Sequence, residues 1–422
     1  MVTGFRKDVR NLGWLLGFLA LGCNVESTGK DTGGVPKGTS SECPDGLVVL
    51  MSDYLSTQIA LSELDGETQS ESFLSTGSTE TDGLAFPLSG DVALPGTRPE
   101  SGLVVLLDRF GTNVVSWVDP ETAEVLAQLS VATGFESNPS DYLEIDERTA
   151  LLSRWGQNAE PGREDHDTGG DVLILDTEEP AITGSIELDV IDDLPPRPSA
   201  LTRVGDEVWV TLDRVALDYS TTGEAMVVGI SIEDLEVVWQ ERIDGLKACG
   251  RLATSPDGTR LALACTGELD ETGGAEDLDQ SALVLFDATA SPPKEIQRIP
   301  AADITGEPLQ SDVVFARDDL VLLNTQSAWG GDTNNRWLAL DLETGETEEL
   351  LEASPDADGA GKGGVYGAMV CAPGCSDTCL LADADRGVLA RVRVPESGMP
   401  EAIDPITVET RVGLPPRDLA LR

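Results

Sequence analysis

Short apolar runs recur along the chain, each cut off by Gly, Pro, Asp or Asn. The stretch 245–299 shows the plan most plainly. Residues 250–254 read as a strand, Ser255-Pro256-Asp257-Gly258 as a turn, and 260–265 as a second strand. After an acidic loop, 281–286 and 295–299 supply two more, separated by a turn at 287–293. Alternation bounded by turn residues is the strand signal. One four-stranded sheet cannot bury both of its faces, and the rest of the chain repeats it.

The copies follow in order. Strands are expected at 46–51, 57–64 and 67–73, then at 92–94, 103–107, 113–118 and 124–131. The third copy has 142–145, 150–153, 171–175 and 182–188, and the fourth 199–202, 207–211, 225–230 and 235–243. The sixth has 312–315, 320–323 and 336–341; the seventh has 365–370, 379–382, 387–394 and 407–412. A period of about 45–60 residues points to a propeller or a solenoid. Several copies share an Asp-led turn before their last strand, at Asp65, Asp119 and Asp341. Asp caps such turns by accepting from the backbone amides ahead of it.

The tail decides between the two architectures. Residues 412–421 read as the start of an eighth copy that stops after one strand, while the copy beginning at 45 lacks a first strand. A ring explains both, with 417–421 completing the first blade and removing exposed edges. An open solenoid would have distinct capping repeats instead. The prediction is an all-β, seven-bladed β-propeller over 43–422. This blade pattern, with the hairpin Ser255-Pro256-Asp257-Gly258-Thr259-Arg260, resembles the YncE-like or WD40-like bacterial β-propellers. The Gly-His and Trp-Asp dipeptides of eukaryotic WD repeats are absent. The resemblance implies a fold and leaves activity open.

Charge narrows the partners. The 422 residues carry 76 acidic and 28 basic side chains, a formal net charge of −48. That excess argues against a nucleic-acid partner, because phosphates need Lys and Arg. It fits a solvated acidic surface. An apolar content of 40% is too high for a disordered chain.

The N-terminus reads as a targeting segment. Arg6, Lys7 and Arg10 precede an apolar run at 12–21 that is short for a membrane span. The run ends in Leu19-Ala20-Leu21-Gly22-Cys23, which resembles a bacterial lipobox with Leu19 one place farther from the cysteine than usual. The resemblance implies a signal peptide at 1–22 and acylation (palmitate among the acyl chains) of Cys23, the anchor to the bilayer. Asn24 rather than Asp favours the outer membrane. Residues 23–42 read as a flexible Gly/Ser/Thr/Pro tether. The propeller is expected to be monomeric.

Six cysteines remain, an even number that favours disulfides in an exported protein. Cys249 and Cys265 fall near neighbouring strands. Cys371 and Cys379 flank one hairpin, which leaves Cys375 to hold Cys43 beside the closure. A three-thiolate metal site is the alternative, although the spacing is not C-x₂-C.

The loops between second and third strands are long in several copies, and function is usually grafted onto such loops. Asp165, Asp167 and Asp171 offer hard oxygen ligands that would suit Ca²⁺, without the full EF-hand pattern. His166, the only histidine, has no evident nucleophile partner. Arg109, Arg154 and Arg214 sit at equivalent places after second strands and would meet near one channel mouth. There they would bind a carboxylate or phosphate, or else pair with acidic neighbours. Trp155 and Trp329 are candidate contact anchors on the same loops. No Walker loop, HExxH or nucleophile elbow is present, so no catalytic residue is named. Two functions stay open. One is an interaction or scaffold module of the cell envelope. The other is a propeller hydrolase or small-ligand binder at the channel mouth, with or without Ca²⁺.

Overall fold

The computed structural model describes residues 43–269, 277–327, 335–352, 366–408 and 413–422. Cys23, Trp329 and the tether lie outside them. The chain forms seven four-stranded antiparallel sheets arranged as a seven-bladed β-propeller. The first blade is assembled from both chain ends. Pro416–Leu421 pairs with Leu47–Ser52, with Leu47 opposite Leu421 and Val49 opposite Leu419. The other six blades run through the chain in sequence order.

Alternation within one strand explains how the ring packs. In Leu47–Ser52 every residue is buried. Val48 and Leu50 enter a cluster with Val104 and Leu106 of blade two. Leu47, Val49 and Met51 enter a cluster with Leu380 and Ala382 of blade seven. A strand covered on both faces reads as a continuous apolar run. Fourth strands are the opposite case. Val237–Arg242 and Glu401–Ile406 are largely exposed.

That exposure accounts for the one misplaced strand. The fourth strand of blade seven lies at Glu401–Ile406, ahead of the expected 407–412, of which 409–412 fall outside the described residues. Its Glu, Asp and Pro content resembles a loop, because nothing apolar is required on an outermost strand. The fourth strand of blade six, Thr347–Glu352, is similarly polar.

The Asp-led turns are capped by their own side chains. Asp119 Oδ1 accepts from Glu121 N and Thr122 N at 2.7 and 3.0 Å, and Asp341 Oδ1 from Glu343 N and Thr344 N. In the blade-five hairpin Asp257 accepts from Ser255 Oγ and from Thr259 N and Oγ1, while Gly258 takes a φ of +71°. Those donors hold the Asp257 carboxyl at about 2.

Three disulfides are present: Cys43–Cys375, Cys249–Cys265 and Cys371–Cys379. The first ties the entry of the chain to the blade beside the closure.

Candidate functional site

Antiparallel order sends the loops between second and third strands, and the links between blades, to one face of the ring. The first strands begin there, around a cavity of about 630 Å³. Its lining includes Ser199, Asp213, Arg251, Asp312, Arg417 and Asp418. A second space of about 280 Å³ lies toward the other face. The two share Arg251, Asp312 and Ala368, which mark the waist of the channel.

The carboxylates at this waist stitch blades together. Asp141 Oδ2 accepts from Leu201 N at 2.8 Å, Asp312 Oδ2 from Met369 N at 2.9 Å, and Asp418 Oδ2 from Leu94 N at 2.9 Å. In each case one blade's carboxylate receives an amide of the next blade's first strand. Arg251 Nη2 pairs with Asp141 at 3.2 Å. The guanidinium lies where a side chain on Gly96 would stand. Burial raises the Asp312 carboxyl to about 6, and the Met369 amide and Arg251 offset this only in part. Burial likewise raises Asp418 and Asp213.

Above the waist, blades three and four build a rim. Trp155 Nε1 donates to Asp213 at 2.7 Å, and the Trp155 ring stacks on Tyr219 with centroids 6.0 Å apart. Arg197 lies 3.9 Å over the Trp155 ring and donates to the carbonyls of Val215, Trp155 and Ala216. Arg417 stands over Tyr54 of blade one and donates to Ser52 O. Exposed large apolar side chains gather on this face: Tyr54 and Leu55, Phe110, Leu217 and Tyr219, Leu269, and Val190 on a link. The others, Phe86, Val237, Val238 and Ile296, lie along the blade sides, Phe86 in a segment bonded to Gln128 of the outermost strand of blade two. The turns of the opposite face carry none among the described residues.

The three equivalent arginines are each bonded within the fold. Arg154 is fully buried, and its donors are spent on Asp171 Oδ1 and Oδ2, Val131 O, Thr133 Oγ1 and His166 O. Arg214 is buried against Glu224 O, Ile191 O and Asp192. Arg109 pairs with Asp91. Each guanidinium fastens its own loop to a neighbouring segment.

The acidic triplet is likewise used internally. Asp171 belongs to Arg154. Asp167 accepts from the amides of Gly162, Arg163 and Glu164, which folds the loop around it and lowers its pKa. Asp165 is exposed. No group of three or more His, Cys, Asp and Glu that could hold a metal ion occurs among the described residues. His166 Nδ1 contacts Ser185 Oγ at 3.1 Å, on the outermost strand of blade three and far from the channel in strand order.

Sequence reasoning missed Arg251, Asp312, Asp418, Asp213 and Tyr219. A signal existed for some of them. Ser140-Asp141, Ser311-Asp312 and Arg417-Asp418 occupy the same place at the start of first strands, where Gly250-Arg251 stands in blade five.

No protein-family model matches the sequence, and no curated protein matches it significantly. Solved structures of the same architecture do match. A hypothetical selenium-binding protein of Sulfolobus tokodaii aligns with a TM-score of 0.58 at 10% identity, over 93% of this chain and 97% of its own. A Bacteroides fragilis protein provisionally named a 6-phosphogluconolactonase gives 0.55 at 13%, over 91% and 99%. The periplasmic gluconolactonase of Pseudomonas aeruginosa gives 0.51 at 14%, over 89% and 98%. What these share with the chain is the ring. At such identities the likeness carries no chemistry with it.

Proposed function

We propose that this propeller is an interaction module of the cell envelope. In this reading it is anchored through an acylated Cys23, is akin to the YncE-like propeller lipoproteins, and engages its partner through the channel-mouth face. The observation that supports the reading is the one-sided placement of the exposed apolar loop residues. Exposed large apolar side chains gathered on one face are suited to contacts, and aromatic anchors dominate such contacts. The candidate ligand and metal groups argue the same way. The arginines and Asp167 and Asp171 are consumed in holding loops.

The test is site-specific photocrosslinking in intact cells. A crosslinker at position 219 should give a discrete adduct that Leu217→Ser weakens. The same crosslinker at Glu121, on the opposite face, should give none. Equal labelling at both positions would remove the case for this face.

A second reading has one observation in its favour. The polar cavity with Asp312 raised to about 6 suits a small hydroxylated ligand or a hydrolysed lactone, as the names of two structural neighbours would have it. Incubating the purified protein with gluconolactone and following acid release tests it. Hydrolysis lost in Asp312→Asn would favour that reading over the first.

A further inference from the structure

We infer that the partner is basic: its apolar residues rest on the rim, and one Lys or Arg side chain enters the channel mouth between Asp213, Asp312 and Asp418. This rests on the reading of that face as the partner surface and adds the chemistry of what sits there.

The cavity argues for a cation by its balance of charge. Three carboxyls line it, and none of the three forms an ion pair of its own among the described residues. The two guanidiniums in the lining do not balance these carboxyls. Arg251 makes its ion pair with Asp141 and offsets Asp312 and Asp418 only in part. Arg417 is held by Ser52 O and leans on Tyr54. The blade-stitching amides use part of the acceptor capacity of Asp312 and Asp418, and each carboxylate oxygen has two acceptor sites. Asp213 accepts from Trp155 Nε1 and from the Ser199 side chain, and Asp418 Oδ1 accepts from Leu419 N. An entering ammonium or guanidinium would therefore find unspent acceptors and a negative surround, which offset its desolvation.

The rest of the molecule selects in the same direction. A net charge of −48 repels anionic lipid surfaces, nucleic acids and sugar phosphates, and repels a second copy of the chain equally. It draws a basic segment toward every face. Among the described residues, the mouth face is the one that sets apolar anchors beside this cavity, with Leu269 in its lining and Leu217 and Tyr219 on the neighbouring blade-four loop. Long-range charge supplies approach, and the socket supplies register.

Fluorescent nonapeptides with two Tyr anchors and a central Lys, Arg, Gln or Glu test this on the full chain in detergent. Binding is read by anisotropy at physiological salt. The Lys and Arg peptides should bind at least about tenfold tighter than the Gln peptide, with Glu weakest. Asp312→Asn keeps an acceptor for Met369 N and should reduce the Lys and Arg peptides to the Gln level. Asp213→Asn should do the same should Asp312→Asn fail to melt cooperatively. Tyr219→Ala should weaken all four peptides by a similar factor. Equal binding of the Lys and Gln peptides overturns the inference and leaves the face intact when Tyr219→Ala still weakens both. Binding indifferent to Tyr219→Ala overturns the reading of the face. No binding at millimolar peptide overturns both.

Discussion

Asp312 carries a cost that a surface carboxylate does not. Its folded pKa of about 6 lies above the roughly 3.9 of an unfolded Asp. Between these values the folded state holds a proton that the unfolded state has released. Stability from this group is therefore full below about pH 4 and declines by about 3 kcal/mol as pH rises through 6. Burial pushes Asp418 and Asp213 in the same direction. Asp257 and Asp192 are lowered, by Ser255 and by Arg242 respectively, and their contribution is lost as pH falls below the ordinary carboxylate range. Thermal melts should accordingly peak between about pH 4 and 6. Asp312→Asn should flatten the decline from pH 5 to 7 relative to wild type. Identical slopes would show that Asp312 titrates normally. The arginines show the limit of the sequence at this scale. Repeat register put Arg109, Arg154 and Arg214 at equivalent places. Whether each guanidinium faces the channel depends on partners such as Asp171 and the His166 carbonyl, which no repeat pattern records.

At the scale of elements, the ring depends on how its ends are joined. The Pro416–Leu421 strand and the Cys43–Cys375 bond both act on blade one, from opposite sides of the closure. Cys43–Cys375 spans a sequence separation of 332, Cys371–Cys379 one of 8. Loop entropy removed from the unfolded chain grows with the logarithm of that span. The first bond should therefore contribute about 6 kcal/mol and the second about 2–3. Cys43→Ser with Cys375→Ser should lower the melting temperature more than Cys371→Ser with Cys379→Ser, measured without reductant. The reverse order would mean that the Pro416–Leu421 pairing alone secures the closure. This closure was legible because a surplus strand at one end matched a deficit at the other. Second and third strands were legible because burial on both faces forces continuous apolar runs. Glu401–Ile406 was not, because an outermost strand is held by its ladder and needs no apolar pattern.

For the whole molecule the governing quantity is unpaired charge. With 76 acidic against 28 basic side chains, an excess of 48 negative charges remains however well the pairs are placed. Salt acts on both populations. It weakens exposed pairs such as Arg148–Asp176 and Arg393–Glu401. It also screens repulsion among the surplus carboxylates, which opposes the compact state and acts over a Debye length of about 10 Å at 0.1 M. Arg154–Asp171 is buried and largely insensitive to salt. With surplus charges outnumbering pairs, repulsion wins, and the melting temperature should rise as NaCl goes from about 0.02 to 0.5 M, levelling once the Debye length falls below the spacing of surface charges. Partner binding should move the other way, because the same screening removes the attraction that brings a basic segment to the mouth. Melts and peptide anisotropy over one salt series measure both. A melting temperature that falls with salt would mean that the ion pairs outweigh the surplus.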